Sequence, residues 1–291
     1  MIAVALIGGA FSFFMRWLQN TAIFDPETGL AQRNSAISWI LVLLCIVVAL
    51  VQLVLTSRVQ NKSSAPQTEN LFYTDHKLLR YIYILLAGLT ALAGLLLLIG
   101  ALRSERGSDV LRLILALLAL GTGASLLVLV CKKTLDNSAR CLCSAVPVLF
   151  NCFWLIVCYK DNAVDPVIWR FCMQILAICA AILAWYYLAG YAFGSPKKCH
   201  TLFTCQLAGY LSILVLSDSF RRSEKLLLIA PGLLLLLVAA RLANEDLPTP
   251  APEAELPQDV EAEPLPEITF EDAPDAESKF DSEPESKSES E

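Results

Sequence analysis

The sequence predicts an all-α bundle of transmembrane helices followed by a disordered acidic C-terminal tail. Three observations support this fold class. Residues Tyr81–Leu102 carry no charged side chain, and a helix of that length spans the ~30 Å hydrocarbon core of a bilayer. Hydrophobic residues make up 56% of the chain and charged residues 17%, against ~25% charged residues in ordinary soluble domains. Further long apolar runs occur on both sides of Tyr81–Leu102.

Eight apolar segments are predicted to span the bilayer, joined by short polar loops. They cover residues 1–18, 37–56, 81–102, 110–131, 141–159, 167–193, 202–217 and 226–242. Each is long enough to cross the hydrocarbon core once tilt and local thinning of the bilayer are allowed for. Residues 1–243 therefore form the predicted transmembrane bundle.

The first two segments are interpreted from the residues that flank them. Met1–Leu18 lacks the basic start and the small-residue cleavage site of a secretory signal, so we interpret it as a short span. Ser35 is placed to cap the second span. Arginines near span ends are expected to snorkel to the membrane interface, namely Arg16, Arg80, Arg112, Arg170 and Arg241.

Proline marks three later positions. Pro147 lies in the first turns of the fifth span, where a missing backbone donor is tolerated. Asp165–Pro166 has the residue types of a helix N-cap and first helical position, and it predicts the start of the sixth span. Pro231–Gly232 predicts a kink in the eighth span, which neighbouring helices would have to accommodate.

The loop after the first span, Phe24–Leu30, has the sequence FDPETGL. Asp before Pro, followed by Gly, is typical of a tight turn. This loop resembles a loop of uncharacterised multi-spanning bacterial membrane proteins, where it also follows a short first helix. The resemblance covers seven residues. It implies a bacterial cell membrane as the location and implies no activity.

Charge is distributed unevenly along the chain. Residues 1–243 carry a net charge of +9, and residues 244–291 carry −15. The second segment is rich in Pro, Glu and Asp and cannot bury enough apolar surface to fold, so it is predicted to be disordered. An acidic tail can bind a basic cytoplasmic protein or the chain's own basic loops. No nucleic-acid partner is expected.

The loop charges give a predicted orientation. Lysine and arginine are divided almost equally between the loops that follow odd-numbered spans and the loops that follow even-numbered spans, so the positive-inside rule alone does not decide the orientation. The loops after the fourth and sixth spans have Asp136 as their one carboxylate, and their basic residues are Lys132, Lys133, Arg140, Lys197 and Lys198. Each loop after an odd-numbered span contains two carboxylates. We expect the more basic loops, and both termini, to lie in the cytoplasm.

Known catalytic and cofactor-binding motifs are missing. The chain has no phosphate-binding, dinucleotide-binding, zinc-protease or serine-hydrolase signature. Its two histidines, His76 and His200, lie outside the predicted spans, so no span carries a general base of that type. The sequence therefore predicts a protein that is not an enzyme and has no cofactor.

Small residues four positions apart indicate close helix packing. Such pairs lie on one helix face and let a neighbouring backbone approach. The third and fourth spans contain them at Ala87/Ala91, Thr90/Gly94, Ala119/Gly123 and Gly121/Ser125. The predicted packing residues are Ala87, Ala91, Gly94, Gly123 and Ser125. The alternative is that Gly and Ala are simply frequent in transmembrane helices.

Four amide side chains lie inside predicted spans: Gln52, Asn151, Gln174 and Gln206. Amides in lipid usually form hydrogen bonds between helices, worth about 1 kcal/mol each. They would instead form a polar pathway if they converged on one cavity.

The ten cysteines mostly lie in apolar runs and are interpreted as small buried apolar residues. A metal site is the alternative, with Cys141, Cys143, Cys199 and His200 as its ligands, because thiolate and imidazole suit zinc and softer metals. The Cys-x-Cys spacing is less common in zinc sites than Cys-x₂-Cys.

Two functions remain open at this point. The first is a non-catalytic membrane protein that assembles or regulates partners through its helix faces and its acidic cytoplasmic tail. The second is a permease or channel for a neutral or apolar small molecule. They differ in one testable respect, because a permease needs the four amides to face one cavity.

Overall fold

The computed structural model describes residues 2–22, 36–58, 71–74, 76–103, 110–163 and 171–244. The predicted all-α fold class is confirmed, and no strand occurs within these ranges. The loop Phe24–Leu30, the cap at Ser35, the pair Asp165–Pro166 and the tail after Asn244 lie outside the described residues.

Eight helices form the described part of the chain. They are α1 (Ile2–Ala22), α2 (Ala36–Ser57), α3 (Lys77–Leu102), α4 (Val110–Cys131), α5 (Asn137–Asn162), α6 (Cys172–Ala192), α7 (Lys198–Val215) and α8 (Arg222–Asn244). Several extend beyond the apolar runs at their ends; α5, for example, includes Arg140 and Lys160. Backbone hydrogen bonding continues into the polar interface, where charged side chains can be solvated.

Helices that follow one another in the chain run in opposite directions. The contact between Arg80 at the start of α3 and Cys131 at the end of α4 illustrates this arrangement. One end of the bundle therefore holds the start of α1 and the end of α8, and we call it the terminal face. The other end holds the α7–α8 connection, and we call it the Asp218 face.

Six helices form a closed ring in the order α3, α4, α5, α6, α7, α8, with α8 packed back against α3. The α1–α2 hairpin lies outside this ring and packs mainly against α7. At the terminal face the segment Leu71–Thr74 is held against the ring, since Arg241 of α8 donates hydrogen bonds to the carbonyls of Leu71 and Tyr73. Phe72 stacks on Trp185 with ring centroids 6.1 Å apart.

Seven of the eight helices are long and apolar enough to cross a membrane, so the chain is an integral membrane protein. Among the described helices, α7 falls outside this set. It contacts α1, α2, α6 and α8, and twelve of its eighteen residues are buried. Because α7 is covered by protein on several sides, it can carry polar side chains that a lipid-facing helix would expose to hydrocarbon.

Glycine allows α7 and α8 to approach closely. A Cβ atom at Gly232 would lie 2.7 Å from the Cβ of Ser212, and one at Gly209 would lie 2.3 Å from the Cγ of Leu236. The helix α8 continues without a break through Pro231. Pro231–Gly232 therefore lies within a tightly packed interface between these two helices.

In contrast, α2 is the least covered of the candidate spans. Its buried residues are Leu41, Val48, Gln52 and Thr56, which share one face. Large apolar side chains such as Trp39, Leu43 and Leu50 are exposed on the rest of its surface. In a membrane protein this surface faces lipid.

Candidate functional site

Polar groups are concentrated at the Asp218 face, where a buried ion pair joins α1 to the end of α7. The Nε of Arg16 donates to Oδ1 of Asp218 at 2.8 Å, and its Nη2 donates to Oδ2 at 3.3 Å. Arg16 is 0% exposed and Asp218 5% exposed. The expectation that Arg16 snorkels to water is wrong, because a carboxylate within the protein solvates its charge instead.

The ion pair belongs to a larger hydrogen-bond network. The Nη1 of Arg16 donates to Oε1 of Gln19 at 2.7 Å, and Nε2 of Gln19 donates to Oγ of Ser38 on α2 at 2.9 Å. Asn20 donates to the same Asp218 oxygen as Arg16, at 2.9 Å. The network connects α1, α2 and the end of α7, and it satisfies both charges with short, directed bonds.

A second polar contact joins the same three helices about one helical turn deeper. The hydroxyl of Tyr210 donates to Sγ of Cys45 at 3.4 Å, so Oγ of Ser12 is the donor in its 2.8 Å bond with the Tyr210 oxygen. Ser12 is fully buried, and so is Tyr210. We call this contact, together with the Arg16–Asp218 network, the polar seam.

The ring of helices opens at the Asp218 face into a pocket of about 170 Å³, which we call the mouth pocket. Its charged side chains are Arg112, Asp161, Arg221 and Glu224, and its apolar wall includes Leu115 and Trp154. These residues come from α4, α5, α8 and the turn before α8. The mouth pocket therefore combines charges of both signs with an apolar floor.

The charges of the mouth pocket interact with one another. Nη2 of Arg112 donates to Oδ2 of Asp161 at 3.2 Å, and both side chains are about one-third exposed. Glu224 lies in the first turn of α8, accepts a hydrogen bond from the backbone of Arg221, and is within electrostatic range of Arg112 and Asp161. A carboxylate at this position also suits the positive end of the helix dipole.

Gln174 and Asn162 line the mouth pocket and also a neighbouring cavity of about 610 Å³, whose wall includes Asn20 and Ser217. Gln174 is 5% exposed. Asn162 donates to the carbonyl of Cys158 at 2.7 Å. Gln174 is thus almost fully buried and borders both cavities.

The four amides that the sequence singled out do not share this pocket. Gln174 lines it, whereas Asn151 donates to the carbonyl of Pro147 on its own helix at 2.7 Å. Gln52 on α2 and Gln206 on α7 are both 0% exposed. Neither the Nε2 nor the Oε1 of Gln52 has a hydrogen-bond partner among the described residues.

The four candidate metal ligands lie near the terminal face without forming a cluster. Cys141 donates to the carbonyl of Ala192 at 3.2 Å, and Cys199 points to the carbonyl of Thr56 at 3.9 Å. Cys143 is half-buried, and His200 is exposed beside the ring of Tyr187. Within the described ranges, no group of three or more His, Cys, Asp or Glu side chains could hold a metal ion.

Three of the predicted small residues, Ala91, Gly94 and Gly123, lie where α3 packs on α4. A Cβ atom at Gly123 would lie 2.5 Å from the Cα of Ala91, and one at Gly94 would lie 2.7 Å from the backbone nitrogen of Leu120. Ala87 and Ser125 are buried as well. We call this contact the small-residue seam.

Sequence reasoning missed the polar seam and the mouth pocket. A signal for the seam was available, because the buried residues of α1 recur at intervals of three and four and end in polar ones: Ala5, Gly9, Ser12, Arg16 and Gln19. No comparable signal marks the mouth pocket, whose residues come from five helices and the turn before α8.

Comparisons of this chain with models of protein families, with curated proteins and with solved structures find no match.

Proposed function

We propose that this integral membrane protein is non-catalytic and that it assembles with or regulates partners. The observation that carries the proposal is the separation of the four amides. Asn151 bonds within its own helix, Gln52 and Gln206 are buried on α2 and α7, and Gln174 alone of the four lines the mouth pocket. A permease would be expected to place several of them along one route.

The outward face of α2 supports this proposal. Only one face of α2 packs against the rest of the bundle, and the large apolar side chains on its other faces include Trp39, Leu43 and Leu50. Such a surface suits contact with lipid or with a transmembrane helix of another protein. We place both termini in the cytoplasm of a bacterial host. There the tail, with its charge of −15, offers a second contact to a basic segment of a partner.

Photo-crosslinking in the native membrane tests the helix contact. A benzoylphenylalanine residue replaces Leu43 on α2 or, as a matched control, Leu176 on α6, which is also exposed. We expect a specific crosslinked protein from position 43 and lipid adducts alone from position 176. Equal products from both positions would remove α2 as a partner surface.

Truncation tests the tail contact. The full-length chain and a chain that ends at Asn244 are compared for proteins recovered after mild crosslinking. A partner recovered only with the full-length chain supports the tail as its binding segment. A variant whose tail carboxylates are replaced by amides separates charge from length. Identical recoveries from all three chains would remove the tail from the proposal.

A permease for a neutral small molecule is the second candidate, and one observation favours it. The buried amide of Gln174 faces the mouth pocket and the cavity beside it. Solute uptake into liposomes tests this candidate, with Gln174→Leu as the variant and Asn151→Leu as the control. Uptake that Gln174→Leu abolishes and Asn151→Leu retains would favour transport over a partner-binding function.

A further inference from the structure

The mouth pocket has the composition of a binding site for a small molecule that carries both charges. Its wall holds two guanidinium groups, Arg112 and Arg221, and two carboxylates, Asp161 and Glu224. The four charges sum to zero, so the pocket attracts neither simple cations nor simple anions as a class. A ligand with one positive and one negative group can be paired at both ends.

The charged side chains that line the mouth pocket are partly exposed rather than enclosed. The Arg112–Asp161 pair is about one-third exposed and its contact is 3.2 Å long, so exchanging it for ligand contacts costs little. Arg221 is exposed and Glu224 half-buried. The buried Arg16–Asp218 pair differs in this respect, because its charges are enclosed and bonded on several sides.

The amide of Gln174 adds an uncharged polar group to the pocket. Gln174 is almost fully buried and lines both the mouth pocket and the neighbouring cavity. An amide at a pocket wall can hydrogen-bond to a bound molecule in place of water. An amide provides both a donor and an acceptor, which matches the ammonium and carboxylate groups of a zwitterion.

The volume of the pocket and its apolar wall indicate the size of the ligand and the character of its side chain. A volume of about 170 Å³ lies below the ~300–1,000 Å³ of pockets that hold drug-sized molecules, so the ligand is small. Leu97, Leu115 and Trp154 provide an apolar wall. An apolar side chain on the ligand would be covered there.

We propose that the mouth pocket binds a free amino acid with an apolar side chain. Its ammonium group pairs with Asp161 and Glu224, its carboxylate pairs with Arg112 and Arg221, and Gln174 hydrogen-bonds to its polar end. This site is independent of the partner contacts at α2 and the tail. Loss of amino-acid binding and loss of crosslinked partners are therefore separate results.

Ligand binding to the purified full-length protein in lipid nanodiscs tests the site. Each standard amino acid is added at ~10 mM, and the rise in Tm identifies those that bind with a Kd below about 1 mM. We expect at least one of leucine, isoleucine, valine and methionine to raise Tm. The amide of that amino acid and its deaminated acid, which each lack one charge, should bind at least about tenfold more weakly.

Variants then place binding in the pocket. The pair Arg112→Gln with Asp161→Asn keeps the net charge of the chain and should weaken binding at least about tenfold, as should Gln174→Leu. Arg80→Gln is the matched control, because Arg80 bonds to the Cys131 carbonyl at the terminal face and should leave binding unchanged. If the double variant does not fold, Gln174→Leu and Arg221→Gln give the same test.

Three results would overturn the proposal. The first is the absence of a Tm rise with every amino acid. The second is equal binding of an amino acid and its amide or deaminated acid. The third is unchanged binding in folded variants of the mouth pocket.

Discussion

The polar seam and the small-residue seam hold helices together by different means. At the polar seam, α1 and α7 are joined by Ser12–Tyr210 and Arg16–Asp218, through side chains that reach between the helices. At the small-residue seam, Gly123 and Gly94 let the backbones of α3 and α4 come into direct contact. Lipid provides no hydrophobic drive between helices, so association needs either close packing or hydrogen bonds. This protein uses one of them at each seam.

The two seams should fail differently when mutated. The small-residue seam depends on close packing, so added side-chain volume should destabilise it, whereas removal of a polar group should not. The polar seam depends on the pairing of its charges, because removal of one partner leaves the other buried. Three substitutions test this difference, and a fourth, at Gln52 on α2, tests a buried amide outside both seams. They follow in order of decreasing expected effect on the free energy of unfolding.

Asp218→Ala should have the largest effect, a destabilisation of about 3–5 kcal/mol, because it leaves the charge of Arg16 buried without its carboxylate. Reversible unfolding in mild detergent measures it. Asp161→Ala is the control, since its partly exposed pair contributes about 0–1 kcal/mol. The double variant Arg16→Met with Asp218→Leu should recover most of the lost stability. Similar losses in Asp218→Ala and Asp161→Ala would show that burial does not distinguish the two pairs.

Gly123→Ala should destabilise the protein by about 1–3 kcal/mol, because the new methyl group meets backbone atoms of Ala91 at 2.5 Å. Gly88→Ala, on the same pair of helices, has no atom within 4 Å of the new methyl group and should be neutral or stabilising by up to about 1 kcal/mol. The same unfolding experiment compares them. A neutral Gly123→Ala would mean that α3 and α4 can separate without cost.

Gln52→Leu should stabilise the protein by about 1 kcal/mol, since it removes a buried amide that has no hydrogen-bond partner among the described residues. Gln19→Leu is the matched control, because Gln19 is buried and bonded to Arg16 and Ser38, and it should destabilise. Thermal unfolding of both variants shows whether each substitution raises or lowers the stability of the protein. A destabilised Gln52→Leu would show that this amide has a partner in the membrane.

Tyr210→Phe should have the smallest effect, a loss of about 0.6 kcal/mol, which is the average for hydrogen bonds between transmembrane helices. A double-mutant cycle with Ser12→Ala isolates the energy of the Ser12–Tyr210 bond. A coupling energy near zero would leave the ion pair as the main energetic link of the polar seam.

Much of the small-residue seam follows from the sequence. Glycine and alanine four positions apart are visible in one dimension, because both members of each pair lie on the same helix. Of the residues named on that basis, Ala91, Gly94 and Gly123 lie at the α3–α4 contact. Neighbouring helices joined by a short loop pack together in most bundles, which is why local spacing was informative here.

The sequence by itself determined that this is a membrane protein of helices, because uncharged apolar segments of bilayer length have no other stable arrangement. The tertiary structure decided where the polar groups meet. Arg16 and Asp218 are 202 residues apart, and they pair only because the α1–α2 hairpin packs against α7. The mouth pocket likewise exists only because α8 closes the ring against α3. Helix order around a ring depends on side-chain fit between distant segments, and apolar composition alone does not encode it.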